Sequence, residues 1–377
     1  MPGKQLLNRC DDCQDADVVL TIRRRNLCKA CYIKFVGYKV FRRTEKYRLR
    51  RDLPATGPCP VLLPLSYGLS SSVLLHMFHA QLEQQLLQPR SPELPDLNVV
   101  IIDPSSIHST STTSPLEDDA FALLQRTFHL ASFTRLPLHS IFQYVPGIED
   151  VLFKYAGRGF QDDASLSPRE RLDTFRASIT SATSIADVDS ILLSRLILAF
   201  AKSKGCLGIM WGDSDDRLAA KTLANVAKGR GSSLTWQVSD GTSPFGVEFN
   251  FPLRDLFTAE IQNYATCFPD LTNMIIPDAP LSENILTKNL SIDQLMLRYV
   301  ASQGKKYPGV MSNVTRTADK LDASRMLTDG SKCVLCETPI CNSEGALQQT
   351  RISRDSMDHP SIELCYACER SRPELSG

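Results

Sequence analysis

Residues 61–78 read VLLPLSYGLSSSVLLHMF, and the fold is decided there. Val61–Leu65 is a short apolar run that reads as a buried strand. From Ser70 to Leu87 the residues Val73, Leu74, Met77, Phe78 and Leu82 recur at helical spacing. Between them stands Leu65-Ser66-Tyr67-Gly68-Leu69-Ser70-Ser71-Ser72. At a strand-to-helix turn the first helical amides lack partners and attract phosphate, and small residues let the backbone approach it. Serines at such a turn also suit a plain helix cap. From these residues alone both readings stay open.

Working outward, Asn98–Asp103 (NVVIID) is a second buried-strand candidate. Gln88–Asp96, with its three prolines, and the Ser/Thr-rich Pro104–Asp119 read as solvent loops. Ser167–Ile179 predicts a helix opening on Pro168 and Glu170, and Val188–Lys204 a second, strongly apolar one. Leu207–Trp211 then reads as a strand, Asp215–Lys228 as a helix and Leu234–Val238 as a strand. This alternation predicts an α/β domain over residues 53–328, with a parallel sheet covered by helices on both faces.

A chain of 377 residues with 42% hydrophobic and 22% charged content can bury a sizeable core. No apolar run approaches the roughly 18–20 residues that span a bilayer, and the N-terminus MPGKQLLNRCDDC lacks the apolar segment of a signal peptide. A cytoplasmic location without membrane partners is the expectation.

Nine of the twelve cysteines lie near the two ends, eight of them in four C-x2-C pairs. Without secretory features these do not predict disulfides. Cys10, Cys13, Cys28 and Cys31 have the spacing of a closed four-thiolate zinc site, which would substitute for a core in a module spanning residues 1–52. Cys333, Cys336, Cys365 and Cys368 repeat the pattern in a module over 329–377, where Cys341 and His359 rank behind them as ligands. Iron–sulfur occupancy of either set stays open.

Net charge is zero, yet residues 18–51 hold twelve Lys or Arg against the single acid Glu45. Arg23, Arg24, Arg25, Lys29, Lys34, Lys39, Arg42, Arg43 and Lys46 form the candidate polyanion-binding set, those from Lys29 onward on a helix around 29–50. The interleaved Tyr32, Phe35, Tyr38, Phe41 and Tyr47 fit base stacking and apolar packing alike.

Ser66–Ser71 resembles the SGGxDS signature of the PP-loop ATP pyrophosphatase superfamily, and Trp211-Gly212-Asp213-Ser214-Asp215-Asp216 resembles its GHxxDD motif. With the flanking cysteine pairs and the basic helix, the chain is similar over nearly its whole length to the cytoplasmic tRNA 2-thiolation protein 2 family. The resemblance implies a PP-loop (adenine nucleotide alpha hydrolase-like) sheet domain between two zinc-ribbon-like modules. It also implies a heterodimer with a catalytic PP-loop thiolase that modifies the wobble uridine of lysine, glutamine and glutamate tRNAs. Sulfur would come from a thiocarboxylated ubiquitin-like carrier, and ATP would adenylate the uracil C2 oxygen.

Departures from an active enzyme are as informative. Tyr67 replaces a glycine and Ser70 an aspartate of the first motif, while Trp211 and Gly212 replace the Gly and His of the second. A tyrosine crowds the phosphate path and takes a positive φ only at a cost. Asp215 and Asp216 remain, and capping of their own helix is favoured over metal binding. Active relatives carry a cysteine pair within the core domain, whereas here Cys59, Cys206 and Cys267 stand singly. The expectation is a catalytically silent subunit whose degenerate nucleotide loop is Ser66, Gly68, Ser70, Ser71 and Ser72 with Asp215 and Asp216, and in which ATP binding is doubtful. The alternatives are an ATP-dependent tRNA sulfurtransferase in its own right and a zinc-dependent adaptor that does not act on RNA.

Overall fold

The structure is a computed structural model that describes residues 9–48, 59–87, 96–107, 115–157, 160–277, 290–321, 331–340 and 363–373. Strands β1 (Leu20–Ile22) and β2 (Arg25–Leu27) pair as an antiparallel hairpin ahead of helix α1 (Lys29–Arg48). The main domain opens with β3 (Pro60–Leu65), α2 (Leu69–Leu86), β4 (Asp96–Ile102), α3 (Pro104–Ile107), α4 (Pro115–Thr127) and β5 (Ala131–Leu136). Helices α5 (Ile141–Tyr144), α6 (Ile148–Ala156), α7 (Pro168–Ala177) and α8 (Ala182–Ser203) precede β6 (Gly208–Met210). There follow α9 (Asp215–Ala227), α10 (Leu234–Gln237), β7 (Gly241–Thr242), β8 (Glu248–Asn250), α11 (Thr258–Thr266) and α12 (Pro269–Thr272). The described chain ends with α13 (Ile292–Lys306), α14 (Pro308–Asp319) and α15 (Tyr366–Ser371).

The six-stranded sheet runs β5-β4-β3-β6-β8-β7, parallel throughout except for the final β8–β7 pair. Because strand side chains alternate, the sheet separates two apolar layers. Leu62, Val100 and Ile102 face a core shared with α6, α7 and α8. Val61, Leu63, Leu65, Val99 and Ile101 face a second core shared with α1, α2 and α11. The terminal modules divide between these layers. Cys10, Leu27, Tyr32, Val36 and Val40 belong to the α2 side, while Cys333, Leu335 and Cys368 belong to the α8 side. Helix α1 docks through a stripe at i, i+4 and i+8, namely Tyr32, Val36 and Val40. A third cluster, Ala219, Ala220, Val300 and Met311, joins α9 to α13 and α14.

The α/β reading holds, and α7 begins as its sequence predicts. Ser167 accepts from the Glu170 amide at 3.3 Å, and the Glu170 carboxylate accepts from the Ser167 amide at 2.9 Å, with Pro168 at the first helical position. Two expectations are corrected. Leu234–Val238 is no strand, because Leu234–Gln237 forms the single buried turn α10. Leu234, Trp236 and Val238 alternate like a strand, but five residues are too few to arbitrate between helix and strand. Within Pro104–Asp119, α3 and the start of α4 are helical, and 108–114 lie outside the described residues, as do 88–95 of the proline-rich loop. Among the described residues no helix is long and apolar enough to cross a membrane.

Candidate functional site

The turn after β3 is closed on itself. Ser66 donates its amide to Ser71 Oγ at 3.3 Å, the two hydroxyls lie 3.1 Å apart, and the Gly68 amide donates to Ser66 Oγ at 3.4 Å. Ser71 Oγ donates in turn to the Gly68 carbonyl at 3.1 Å. Ser70, Ser71 and Ser72 are all buried. Tyr67 takes φ 59°, the left-handed backbone that costs a non-glycine residue roughly 1–2 kcal/mol. It is held there by its carbonyl, which accepts from the Ile276 amide at 2.9 Å, and by a side chain only 1% exposed. The Ser66 and Gly68 amides and the Ser66 and Ser71 hydroxyls are therefore spent within the loop, while the first turn of α2 has no side-chain cap, and an aromatic ring fills the core beside it.

The second motif abuts the first. A Cβ built on Gly212 would fall 2.8 Å from Ser71 Cα, so the chain leaving β6 meets α2 there with no room for a side chain. Trp211 lies edge-on to Phe249 at 5.7 Å, with the Lys221 ammonium 5.6 Å above its ring. The aspartates do not cap their own helix, which corrects that expectation. Ser214 caps α9 by accepting from the Arg217 amide at 3.3 Å. Asp215, 4% exposed, accepts from Ser312 at 2.8 Å and Thr315 at 2.7 Å on α14, and burial raises its pKa despite those bonds. Asp216 accepts from the Thr258 amide at 2.7 Å and so caps α11. Serine won the cap because its short hydroxyl reaches the third amide, which frees both carboxylates to fasten neighbouring helices.

Each terminal cysteine set converges. The sulfurs of Cys10, Cys13, Cys28 and Cys31 lie within 4.8 Å of one another, as do those of Cys333, Cys336, Cys365 and Cys368, and none of them is in a disulfide. Four sulfurs at roughly 2.3 Å from a tetrahedral ion sit about 3.8 Å apart. The Cys13 and Cys28 sulfurs are 3.8 Å apart, and those of Cys336 and Cys365 are 3.7 Å apart. Both sets therefore fit a closed tetrahedral metal, and each can hold one. The Cys13 backbone amide beside Cys10 holds its thiol down at about 6, while burial raises the Cys31 thiol of the same set.

The C-terminal set also has support from the main domain. The Arg230 guanidinium lies 3.4 Å from Cys368 Sγ and 4.0 Å from Cys365 Sγ, and it pairs with the buried Asp187. Arg195 donates to the Val334 and Leu335 carbonyls at 3.1 and 2.7 Å, fixing the Cys333–Cys336 turn. Sequence reasoning missed these anchors. The one signal was a charge in the apolar stripe of α8, where Arg195 stands among Leu192, Leu196 and Leu198. Cys341 and His359 lie outside the described residues.

The basic residues part into two groups. Arg23 pairs with Glu260 at 2.6 Å, Arg43 bridges Asp255 at 2.7 Å and Asp240 at 2.8 Å, and Lys39 donates to the Asp255 carbonyl at 3.0 Å. Arg25 pairs with Asp12, and the Lys29 ammonium lies 5.9 Å from the Phe268 ring centre. All but the Arg25–Asp12 pair, which lies inside the module, hold the module to the domain. Arg24, Lys34 and Arg42 are exposed with no acidic partner among the described residues, and Lys46 lies on the last turns of α1. Among the aromatics, Tyr32 is buried as packing and Tyr38 is exposed. The core cysteines do not form a reactive pair. Burial pushes Cys206 up to about 11 and raises Cys267, while Cys59 precedes β3.

Residues 291–360 match the family described as cytoplasmic tRNA 2-thiolation protein 2. A protein of that name from Emericella nidulans is 69% identical over 332 residues, covering 88% of this chain and all of the relative. Another from Neosartorya fischeri is 60% identical over the full length of both chains, and one from Coccidioides immitis is 42% identical over 98% of each. Among solved structures the chain is similar to the U34-tRNA thiolase NcsA from Methanococcus maripaludis with its 4Fe–4S cluster. The TM-score is 0.55 at 15% identity, covering 89% of this chain and 94% of that one. At that identity the likeness is one of fold, and it gives the sheet domain its PP-loop-like architecture.

Proposed function

The chain belongs to the cytoplasmic tRNA 2-thiolation protein 2 family, and from that premise we propose that it serves wobble-uridine 2-thiolation as a non-catalytic, tRNA-binding subunit. The observation that carries the silent role is the turn after β3, where the Ser66 and Ser71 hydroxyls and the Ser66 and Gly68 amides bond one another beside a left-handed, buried Tyr67 that stands where the active motif has glycine. A catalytic PP-loop thiolase, bound as a heterodimer in the cytoplasm, supplies the chemistry in this reading. It draws sulfur from a thiocarboxylated ubiquitin-like carrier and forms 5-methoxycarbonylmethyl-2-thiouridine in lysine, glutamine and glutamate tRNAs. Zinc fills each terminal cysteine set as a structural ion, because four cysteines close the coordination shell and leave no open position.

The test is a thiolation assay on this chain alone, the thiolase alone and the two together. Activity only in the mixture, with no Mg-dependent ATP binding to this chain, is the expected result. Sulfur transfer by the purified chain alone would replace this reading with a self-sufficient sulfurtransferase.

A further inference from the structure

A cleft of about 590 Å³ opens between the β1–β2 hairpin tip, the start of α11 and the α13–α14 joint. Its lining includes Arg23, Phe257, Tyr307, Ser312, Asn313 and Arg316, and none of its lining residues is acidic. Arg23 is fixed in place. Nε and Nη2 bond the Glu260 carboxylate at 2.6 and 2.8 Å, and the guanidinium lies 4.8 Å from the Phe257 ring centre. Its Nη1 has no hydrogen-bond partner among the described residues. Arg316 is exposed and has no acidic partner among the described residues. Tyr307 is 59% exposed and follows the exposed Lys305 and Lys306 that end α13.

Resting on the reading of this chain as a tRNA-binding subunit, we infer that this cleft binds a single-stranded stretch of the RNA. A base stacks on Tyr307 while Arg23 and Arg316 take the flanking phosphates. Charge decides the occupant: Arg316, with no acid in the lining, and the unused Nη1 of the Glu260-paired Arg23 suit a phosphodiester chain, and an exposed ring in the same lining suits an unpaired base of any sequence. Lys305 and Lys306 extend the positive surface along the same edge. Asp215 ties the α14 wall to the second motif through Ser312 and Thr315, so the cleft is built on the same joint that replaced the nucleotide site.

The test is fluorescence anisotropy of the full chain with an unmodified lysine tRNA transcript across a salt series. Tyr307→Ala should weaken binding about tenfold with the salt slope unchanged, and Tyr307→Phe should bind as the parent does. Arg316→Ser should weaken binding and flatten the slope by about 0.7. Parent-like affinity in both Tyr307→Ala and Arg316→Ser overturns the cleft. If Arg24→Ser, Lys34→Ser and Arg42→Ser together abolish binding in that case, RNA binding survives without the cleft. A parent chain that binds no transcript, alone or with its thiolase, removes both the reading and the cleft. Weakened thiolase binding by Tyr307→Ala with RNA affinity unchanged makes the cleft a protein interface and also overturns the proposal.

Discussion

The two terminal cysteine modules share a ligand set and differ in how they are held. The N-terminal one docks through α1, with an apolar stripe of Tyr32, Val36 and Val40 and a rim of half-exposed ion pairs from Arg23 and Arg43. The C-terminal one is gripped by two buried arginines of the main domain, one of which touches the sulfurs themselves. Identical coordination chemistry can thus be seated through an apolar helix stripe at one end and through buried arginines at the other. Substitutions should separate the two.

Cys368→Ser should have the largest effect. Bound metal should fall by one ion per chain, and the urea unfolding midpoint of the main domain should fall with it, because Arg230 loses the sulfur it donates to. Cys10→Ser should cost one ion as well and leave that midpoint nearly in place; equal losses for the two would erase the distinction. Next, Arg230→Met leaves buried Asp187 with the Lys228 ammonium at 3.0 Å as its remaining cation and should destabilise the domain by about 3 kcal/mol or less. Adding Asp187→Asn should recover part of that loss in a double-mutant cycle. Arg43→Ala removes partly exposed ion pairs and should cost about 1 kcal/mol or less, read as faster proteolysis near α1 with zinc content unchanged.

The smallest effect concerns pH. Burial raises Asp255, but the Arg43 hydrogen bond and charge outweigh it and hold its pKa below the usual carboxylate value. A carboxyl lowered on folding stabilises above its unfolded pKa of about 4 and loses that contribution as pH falls through the folded value. Proteolysis near α1 should therefore rise on acidification below that range, and Arg43→Ala should flatten the dependence.

What the sequence disclosed follows the distance over which its signals act. The cysteine pairs were legible because a knuckle is local, and β3, α2, α7, α8 and α9 because their periodicity or caps are. Arg230 was not, since it meets Cys368 across 138 positions of chain and its own neighbours give no hint of burial. The edge strand β5 has only a half-buried pattern, and α13 and α14 were not singled out, so the cleft they frame was invisible too. Asp215 and Asp216 were noticed as a motif, but their true partners lie on α14 and α11.

On the silent-subunit reading, the contact between Gly212 and Ser71 makes the loss of the nucleotide site directional. A histidine at 212, which the resemblance gives that position, would drive its first carbon into the backbone of α2 before its ring could do any chemistry. Reversion would have to pass through a chain whose β6 and α2 had been pried apart, worse at its present task and not yet capable of the other. The packing works as a ratchet.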